Sequence, residues 1–320
     1  MYFRVKKMFL RKSFPQILIL FCFLYACSSP KQDSSTASET KGIVIPKGQL
    51  TELIQWSEDR IPLVSAHRGG PYPGYPENAI ETFEYIASQI PTVIECDIAM
   101  TKDSVLIMMH DNTLDRTTNG SGRVLEVDYE YVQSLNLVDN EGQITAYKVP
   151  TLNDVLQWAR GKAVLTLDVK RGVPFERVVE AVQEMEAQDY SIIITYGARD
   201  AALVYSLDPS LKLSVSLGSQ EAYEAHRAAG IPDEQMVAFV GVSEPSPEWF
   251  DFLHRKGITC ILGVLGNLDR KAIAQGDSTY LGYIQRGADI LATDRPLEAA
   301  KAIELAVPET STKAKFFYGY

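Results

Sequence analysis

Histidine and cysteine are both scarce, at four residues each in a chain of 320. There is no CxxC and no Cys/His spacing suited to zinc, which argues against a structural zinc site. Cys96 and Cys260 each lie inside an apolar, strand-like run and read as small buried hydrophobes rather than disulfide partners. Positive charge is also in deficit, with 31 Lys+Arg against 41 Asp+Glu and a net charge of −10. That balance argues against a sequence-independent nucleic-acid binder, which needs a basic surface. It leaves a phosphate substrate open, because a bound metal can supply the missing positive charge. A hydrophobic fraction of 46% and a charged fraction of 22% exclude a wholly disordered chain, a fibrous repeat and a polytopic membrane protein.

What is present begins with an address. Arg4, Lys6, Lys7, Arg11 and Lys12 precede an apolar stretch from Phe14 to Ala26, too short for a comfortable spanning helix. A basic segment followed by a short apolar one predicts an export signal over residues 1–26. The junction Leu24-Tyr25-Ala26-Cys27 resembles a bacterial lipoprotein lipobox, in which the cysteine becomes the lipidated first residue. The expectation is a lipid anchor at Cys27 and a place in the bacterial cell envelope, periplasmic or surface-facing; an ordinary signal or an uncleaved anchor is the alternative. Without residues 1–26 the net charge deepens to −15. The Ser/Thr-rich composition after Cys27 predicts a flexible tether over 27–46. One folded domain is expected over 47–306, followed by a tail at 307–320.

Within that domain, β-branched runs alternate with helical patterns. Strands are predicted at 62–67, 92–99, 104–110, 163–169, 191–196, 211–217, 236–242, 258–264 and 288–292. Helices are predicted at 78–89, 151–160, 174–188, 199–207, 219–229, 247–256 and 296–305. This alternation predicts parallel βα units. The second and third strands are joined only by Met100-Thr101-Lys102-Asp103, too short for a parallel crossover, so they must form a hairpin. Eight parallel strands remain, the number that closes a (β/α)8 TIM barrel. An open doubly wound sheet is the runner-up, but its usual Gly-rich phosphate loop is absent after the first strand. Residues 112–150 break the rhythm and read as an insertion.

Side-chain alternation places the chemistry. In 92–99, Glu95 and Asp97 share a face with Val93, whereas Ile94, Cys96 and Ile98 form an apolar face suited to the helix layer. Asp168 and Lys170 share a face with Thr166 in the fourth strand. Three inward carboxylates are costly to ionise unless something neutralises them. An oxygen-ligated Ca2+ or Mg2+ would do so, as would a carboxylate–lysine network without an ion. His67 ends the first strand beside Arg68, and His110 closes the hairpin, so two imidazoles converge on the same barrel mouth. His226 and His254 lie in helical stretches and read as surface residues. Tyr72 and Tyr75 are candidates for lining a substrate pocket. Asn78 has a structural alternative as the N-cap of a capping box with Glu81, and Glu77 has one as a first-turn acid.

At these residues the chain resembles the glycerophosphodiester phosphodiesterases. The matching segments are AHRGG with PEN (66–78), ECDIAMTKDSVLIMMHD (95–111), LDRTTNGSG (114–122), PTLNDVL (150–156), LDVK (167–170) and ADILATDRP (288–296). The resemblance implies a βα barrel that cleaves a small-molecule phosphodiester with one divalent metal. It implies His67 and His110 as the acid–base pair and Glu95, Asp97 and Asp168 as metal ligands. Arg68 and Lys170 would contact the phosphate. Glu77 and Asn78 in the loop after His67 are further candidates for binding the substrate, beside the structural roles just given. Asp168 stands where the family generally has Glu. The Glu/Asp/Asp set is also similar to that of sphingomyelinase D-type barrels, so a related or cyclising phosphodiesterase is the alternative activity, and a phosphodiester-binding lipoprotein without catalysis is another.

Overall fold

The computed structural model describes residues 42–319. The predicted signal, Cys27 and most of the predicted tether lie outside the described residues. The strands are β1 (Gly42–Ile43), β2 (Leu63–Ala66), β3 (Thr92–Met100), β4 (Leu106–Met108), β5 (Val164–Val169) and β6 (Ser191–Thr195). They continue as β7 (Lys212–Ser216), β8 (Met236–Phe239), β9 (Cys260–Gly263), β10 (Ile290–Thr293) and β11 (Phe317–Tyr318). The order β2-β10-β9-β8-β7-β6-β5-β3 is parallel throughout and closes through β2–β3, giving an eight-stranded (β/α)8 barrel. β4 pairs antiparallel with β3, as their short, five-residue connection requires.

The helices are α1 (Leu50–Ile54), α2 (Ile80–Ala87), α3 (Tyr129–Ser134), α4 (Leu152–Ala159), α5 (Phe175–Glu184) and α6 (Ala198–Leu207). They continue as α7 (Gln220–Ala228), α8 (Pro247–His254), α9 (Asn267–Gln275), α10 (Ser278–Gln285) and α11 (Pro296–Ile303). Their apolar stripes pack against the outward strand face, so Ile94, Cys96, Ile98, Leu165 and Leu167 join Val155, Val178 and Phe250 in the largest core cluster. The start of α4 follows from Thr151: its hydroxyl accepts from Asp154 N–H, while the Asp154 carboxylate accepts from Thr151 N–H.

A second core fills the barrel itself. Leu63, Val93, Val164, Ile192, Val237, Ile261 and Ile290 point inward and plug the end away from the strand C-termini. Ile43, Leu50, Leu53, Ile54 and Phe316 join them, and β1 pairs with β11 across that end. Ile43 and Ile45 of the predicted tether, and Phe316 and Phe317 of the predicted tail, therefore belong to the barrel's floor. Burying Phe316 alone stabilises by about 2–3 kcal/mol. The insertion has its own small core, in which Leu114, Val124, Val132, Leu135 and Leu137 pack on Ala99, Ile107 and Met109 of the hairpin.

α1, α9 and α10 are not apparent from sequence periodicity. α9 is largely polar and α10 carries Gly282, which weakens a helical pattern. His226 and His254 also differ from expectation, since both are buried. His226 Nδ1 lies 2.7 Å from the Ala222 carbonyl. His254 stacks on Trp56 at 4.5 Å and lies 2.9 Å from Asp289.

Candidate active site

Inward-facing residues at the strand C-termini build the site. Glu95, Asp97 and Asp168 come together so that one carboxylate oxygen from each lies within 4.8 Å of the others. Lys170 Nζ bridges two of them, at 2.6 Å from Asp97 and 2.6 Å from Asp168. Burial disfavours the Lys170 charge, but Asp97 and Asp168 outweigh it and raise its pKa. Glu95 has no lysine; its Oε2 accepts from the Arg68 backbone N–H at 2.6 Å. Burial, with the charge of Asp97, pushes its pKa up to about 8. The carboxylates thus exceed their local positive partners, and their oxygens, burial and spacing fit a hard divalent cation. The cluster of His254, Cys260 and Asp289 does not fit one: it offers a single carboxylate, already paired with Arg60, and burial pushes the Cys260 thiol pKa well up, which disfavours the thiolate a metal would need.

Each proposed imidazole has a carboxylate on Nδ1. His67 lies 2.7 Å from Asp294 Oδ1, and His110 lies 2.7 Å from Asp111 Oδ1. Burial works against a charged His67, yet Asp294 and Glu95 raise its pKa above 6.5. The turn after β2 brings His67 to Asp294. Arg68, Gly69 and Gly70 all have positive φ there, and a Cβ on Gly69 or Gly70 would fall 2.3 Å from Phe83 or 2.5 Å from Pro296. His110 is set by the hairpin, where Met109 N–H donates to the Asp97 carbonyl.

A profile of the glycerophosphoryl diester phosphodiesterase family matches residues 67–258, which holds the histidines and the carboxylates. The chain belongs to that family. Its members are phosphoric diester hydrolases. A glycerophosphoryl diester phosphodiesterase from Parabacteroides distasonis is similar over 87% of this chain and 99% of its own, at 37% identity and a TM-score of 0.81. The uncharacterised protein YqiK of Bacillus subtilis is 34% identical over 53% of this chain and 72% of its own length. Mouse glycerophosphodiester phosphodiesterase 1 is 38% identical over 39% of this chain, and the match spans 38% of that relative's length.

The family motifs acquire physical reasons here. In PEN, Asn78 is left-handed at φ 59° and does not cap α2, whose N-cap is Ala79. Both ends of its amide serve Asp97 instead: Nδ2 donates to Oδ2 at 2.7 Å and Oδ1 accepts from the backbone N–H at 2.9 Å. Glu77 is not a first-turn acid; it is 4% exposed and clamped by Arg68 at 3.2 Å and Arg116 at 2.8 Å. In TDRP, Asp294 is held by its backbone N–H, which donates to Asp269 of α9 at 3.0 Å, while Thr293 and Tyr280 of α10 donate to the same carboxylate.

Below the carboxylates a cavity of about 170 Å³ opens into the barrel, lined by Ser65, Thr166, Ser214, Phe239 and Ala292 among others, with His67, Glu95 and Asp168 at its rim. His110 is not among its lining residues and joins the site through the Asp111–Arg116–Glu77–Arg68 chain of ion pairs. Tyr72 and Tyr75 do not line it either. Tyr72 donates to Glu298, and Tyr75 stacks on Tyr85. Tyr196, not singled out by the sequence, does line it, and its hydroxyl lies 3.0 Å from both oxygens of Asp168. Nothing in the sequence singles out Asp111, Arg116 or Asp294 individually, although each falls in a segment that resembles the family.

Proposed function

We propose that the protein hydrolyses glycerophosphodiesters to glycerol 3-phosphate and an alcohol, using His67 and His110 as the acid–base pair and one divalent cation, Ca2+ or Mg2+. The observation that carries this reading is a carboxylate trio, with Asp97 and Asp168 buried and Glu95 part-buried, that shares its cavity with His67 and is tied to His110 through Arg68, Glu77, Arg116 and Asp111, each ring having Nδ1 on an aspartate. Glu95, Asp97 and Asp168 would hold the cation, which supplies stabilisation of the charge on the phosphoryl oxygens.

The chain's own groups do the rest. With Nδ1 committed, Nε2 is the nitrogen left on each ring to exchange protons. A water oxygen bonds to phosphorus as one P–O ester bond breaks. One histidine takes the water's proton and the other gives a proton to the departing alkoxide. Lys170 and Arg68 bring positive charge to the phosphate; the Arg68 Nε–H is buried without a hydrogen-bond acceptor, and a phosphate oxygen would satisfy it. Glu77 and Asn78, expected at the substrate, act in this reading as supports for Arg68 and Asp97. The protein is further read as anchored through lipid at Cys27 in the bacterial cell envelope, on the basis of residues 1–27.

The test is turnover of glycerophosphodiesters with varied headgroups by protein lacking residues 1–26. Release of glycerol 3-phosphate that stops with EDTA is expected. Replacing His67 or His110 by Ala should lower kcat by about 10²–10⁴-fold. Full turnover by the double variant overturns the acid–base assignment, and EDTA-resistant turnover overturns the metal. Phosphorus NMR separates direct hydrolysis from attack by a substrate hydroxyl, which would accumulate a cyclic phosphate. Saturable binding without product would replace catalysis with capture.

A further inference from the structure

We propose that Arg116 is a positioning residue: by gripping Asp111 and Glu77 at once, it fixes the ring of His110 and ties it to Arg68. The inference rests on the function proposed above, which places His110 and Arg68 in the reaction. Arg116 comes from the insertion, not from a barrel strand. Its Nε donates to Asp111 Oδ2 at 2.7 Å and Nη2 to Asp111 Oδ1 at 2.9 Å. On the other side, Nη1 and Nη2 donate to the two oxygens of Glu77, each at 2.8 Å. One planar guanidinium therefore serves two carboxylates in bidentate fashion, which a lysine ammonium cannot reproduce.

The two carboxylates lead to different parts of the site. Asp111 provides the polar contact on the His110 ring, which is about one-third exposed and has no other hydrogen bond among the described residues. The Arg116 bonds, together with His110, hold the Asp111 carboxyl well below the usual carboxylate range, so it stays an ionised acceptor. Glu77 holds Arg68 Nη1 at 3.2 Å, a longer contact than its pair with Arg116. Without Arg116, Asp111 would be free to turn into water and release the ring. Glu77 would retain Arg68 alone as its partner.

The geometry is built to resist such movement. Arg116 is itself 46% exposed, yet Leu114, Thr117 and Thr118 around it are buried. Thr118 returns both its N–H and its hydroxyl to the Leu114 carbonyl, at 3.0 and 2.7 Å, closing the turn that presents Arg116. The insertion thus supplies the barrel with a rigid strut from outside the β/α framework.

The test uses R116M, R116K and D111N in protein lacking residues 1–26. The readouts are steady-state kinetics on a glycerophosphodiester and long-range proton–nitrogen spectra of the imidazoles. R116M should lower kcat by about 10–100-fold with KM changed only a few fold, as for loss of a supporting shell. The His110 nitrogen signals should move from a fixed tautomer toward the averaged pattern of a free ring, while those of His67, held by Asp294, stay in place. D111N should reproduce the His110 change with Arg116 intact. R116K keeps the charge and loses the fork, so it should recover only part of kcat, and it carries the test if R116M does not fold. An unchanged His110 spectrum in R116M and R116K overturns the proposal, as does equal movement of the His67 signals. A wild-type protein inactive on every diester would sink the proposed function, and the His110 spectrum would still decide the role of Arg116.

Discussion

His67 and Asp294 stand 227 positions apart in the chain, and their side chains meet at 2.7 Å. The contact joins the C-terminal ends of β2 and β10, the first and last barrel strands, which pair in register from Leu63↔Ile290 to Ala66↔Thr293. Barrel closure is thus used chemically. The seam where the sheet joins itself is also where an imidazole acquires the carboxylate that orients it. Asp294 is fixed in turn by α9 and α10 through Asp269, Thr293 and Tyr280.

The pair predicts a pH-dependent stability. Because Asp294 and Glu95 raise the folded-state pKa of His67 above 6.5, the fold favours the protonated ring. That stabilisation is whole below pH 6.5 and fades as pH rises through the folded-state pKa. Replacing Asp294 by Asn should therefore lower Tm more at pH 5.5 than at pH 9. NMR titration in EDTA should find the His67 pKa lowered in the variant. An unmoved pKa would mean that Asp294 does not govern the ring's charge.

The barrel was legible because its strands obey a period of two on a uniformly apolar outer face, which left Glu95, Asp97 and Asp168 as visible exceptions pointing inward. His67 and His110 were legible because they end strands. Their aspartate partners were not, since Asp294 and Asp111 sit in connections where no periodicity marks orientation. Arg116 lies in an insertion with its own small core, and only the tertiary pairing of that core with the hairpin brings it to Glu77. The burial of His226 and His254 is not legible in the sequence for a related reason. Their neighbours along each helix are polar or mixed, and what covers His254 is Trp56, roughly two hundred residues earlier.

The carboxylate trio makes cation binding compete with protons. Burial, and after it the charge of Asp97, raise the Glu95 pKa without a cation, so a proton competes for this carboxylate as the pH falls. A cation that uses Glu95 must displace that proton. Calorimetry in buffers of different ionisation enthalpy should find protons released on binding Ca2+ or Mg2+, and more of them as the pH falls. The apparent Kd should rise as the pH falls, approaching about tenfold per unit once Glu95 is mostly protonated. Affinity independent of pH would remove Glu95 from the ligand set.

Lys212 offers a test of the barrel interior away from the chemistry. It shares the inward face of β7 with Ser214 and Ser216, is 2% exposed, and donates to the Glu234 carbonyl with no carboxylate in contact. Burial draws its pKa down from 10.5 to about 8. Between those values the folded protein binds fewer protons than the unfolded chain, so this residue makes stability rise with pH across that window. At pH 7 the full cost of keeping a buried ammonium remains. Lys212→Met has a similar volume and no charge to desolvate, and should stabilise by ~1–3 kcal/mol at pH 7, with the gain shrinking toward pH 10.5. Denaturation with urea at pH 7 and pH 10 reads both values, and turnover should be unchanged because Lys212 touches none of the carboxylates or histidines of the site. A variant less stable than wild type at pH 7 would mean that the Glu234 hydrogen bond outweighs the burial of the charge.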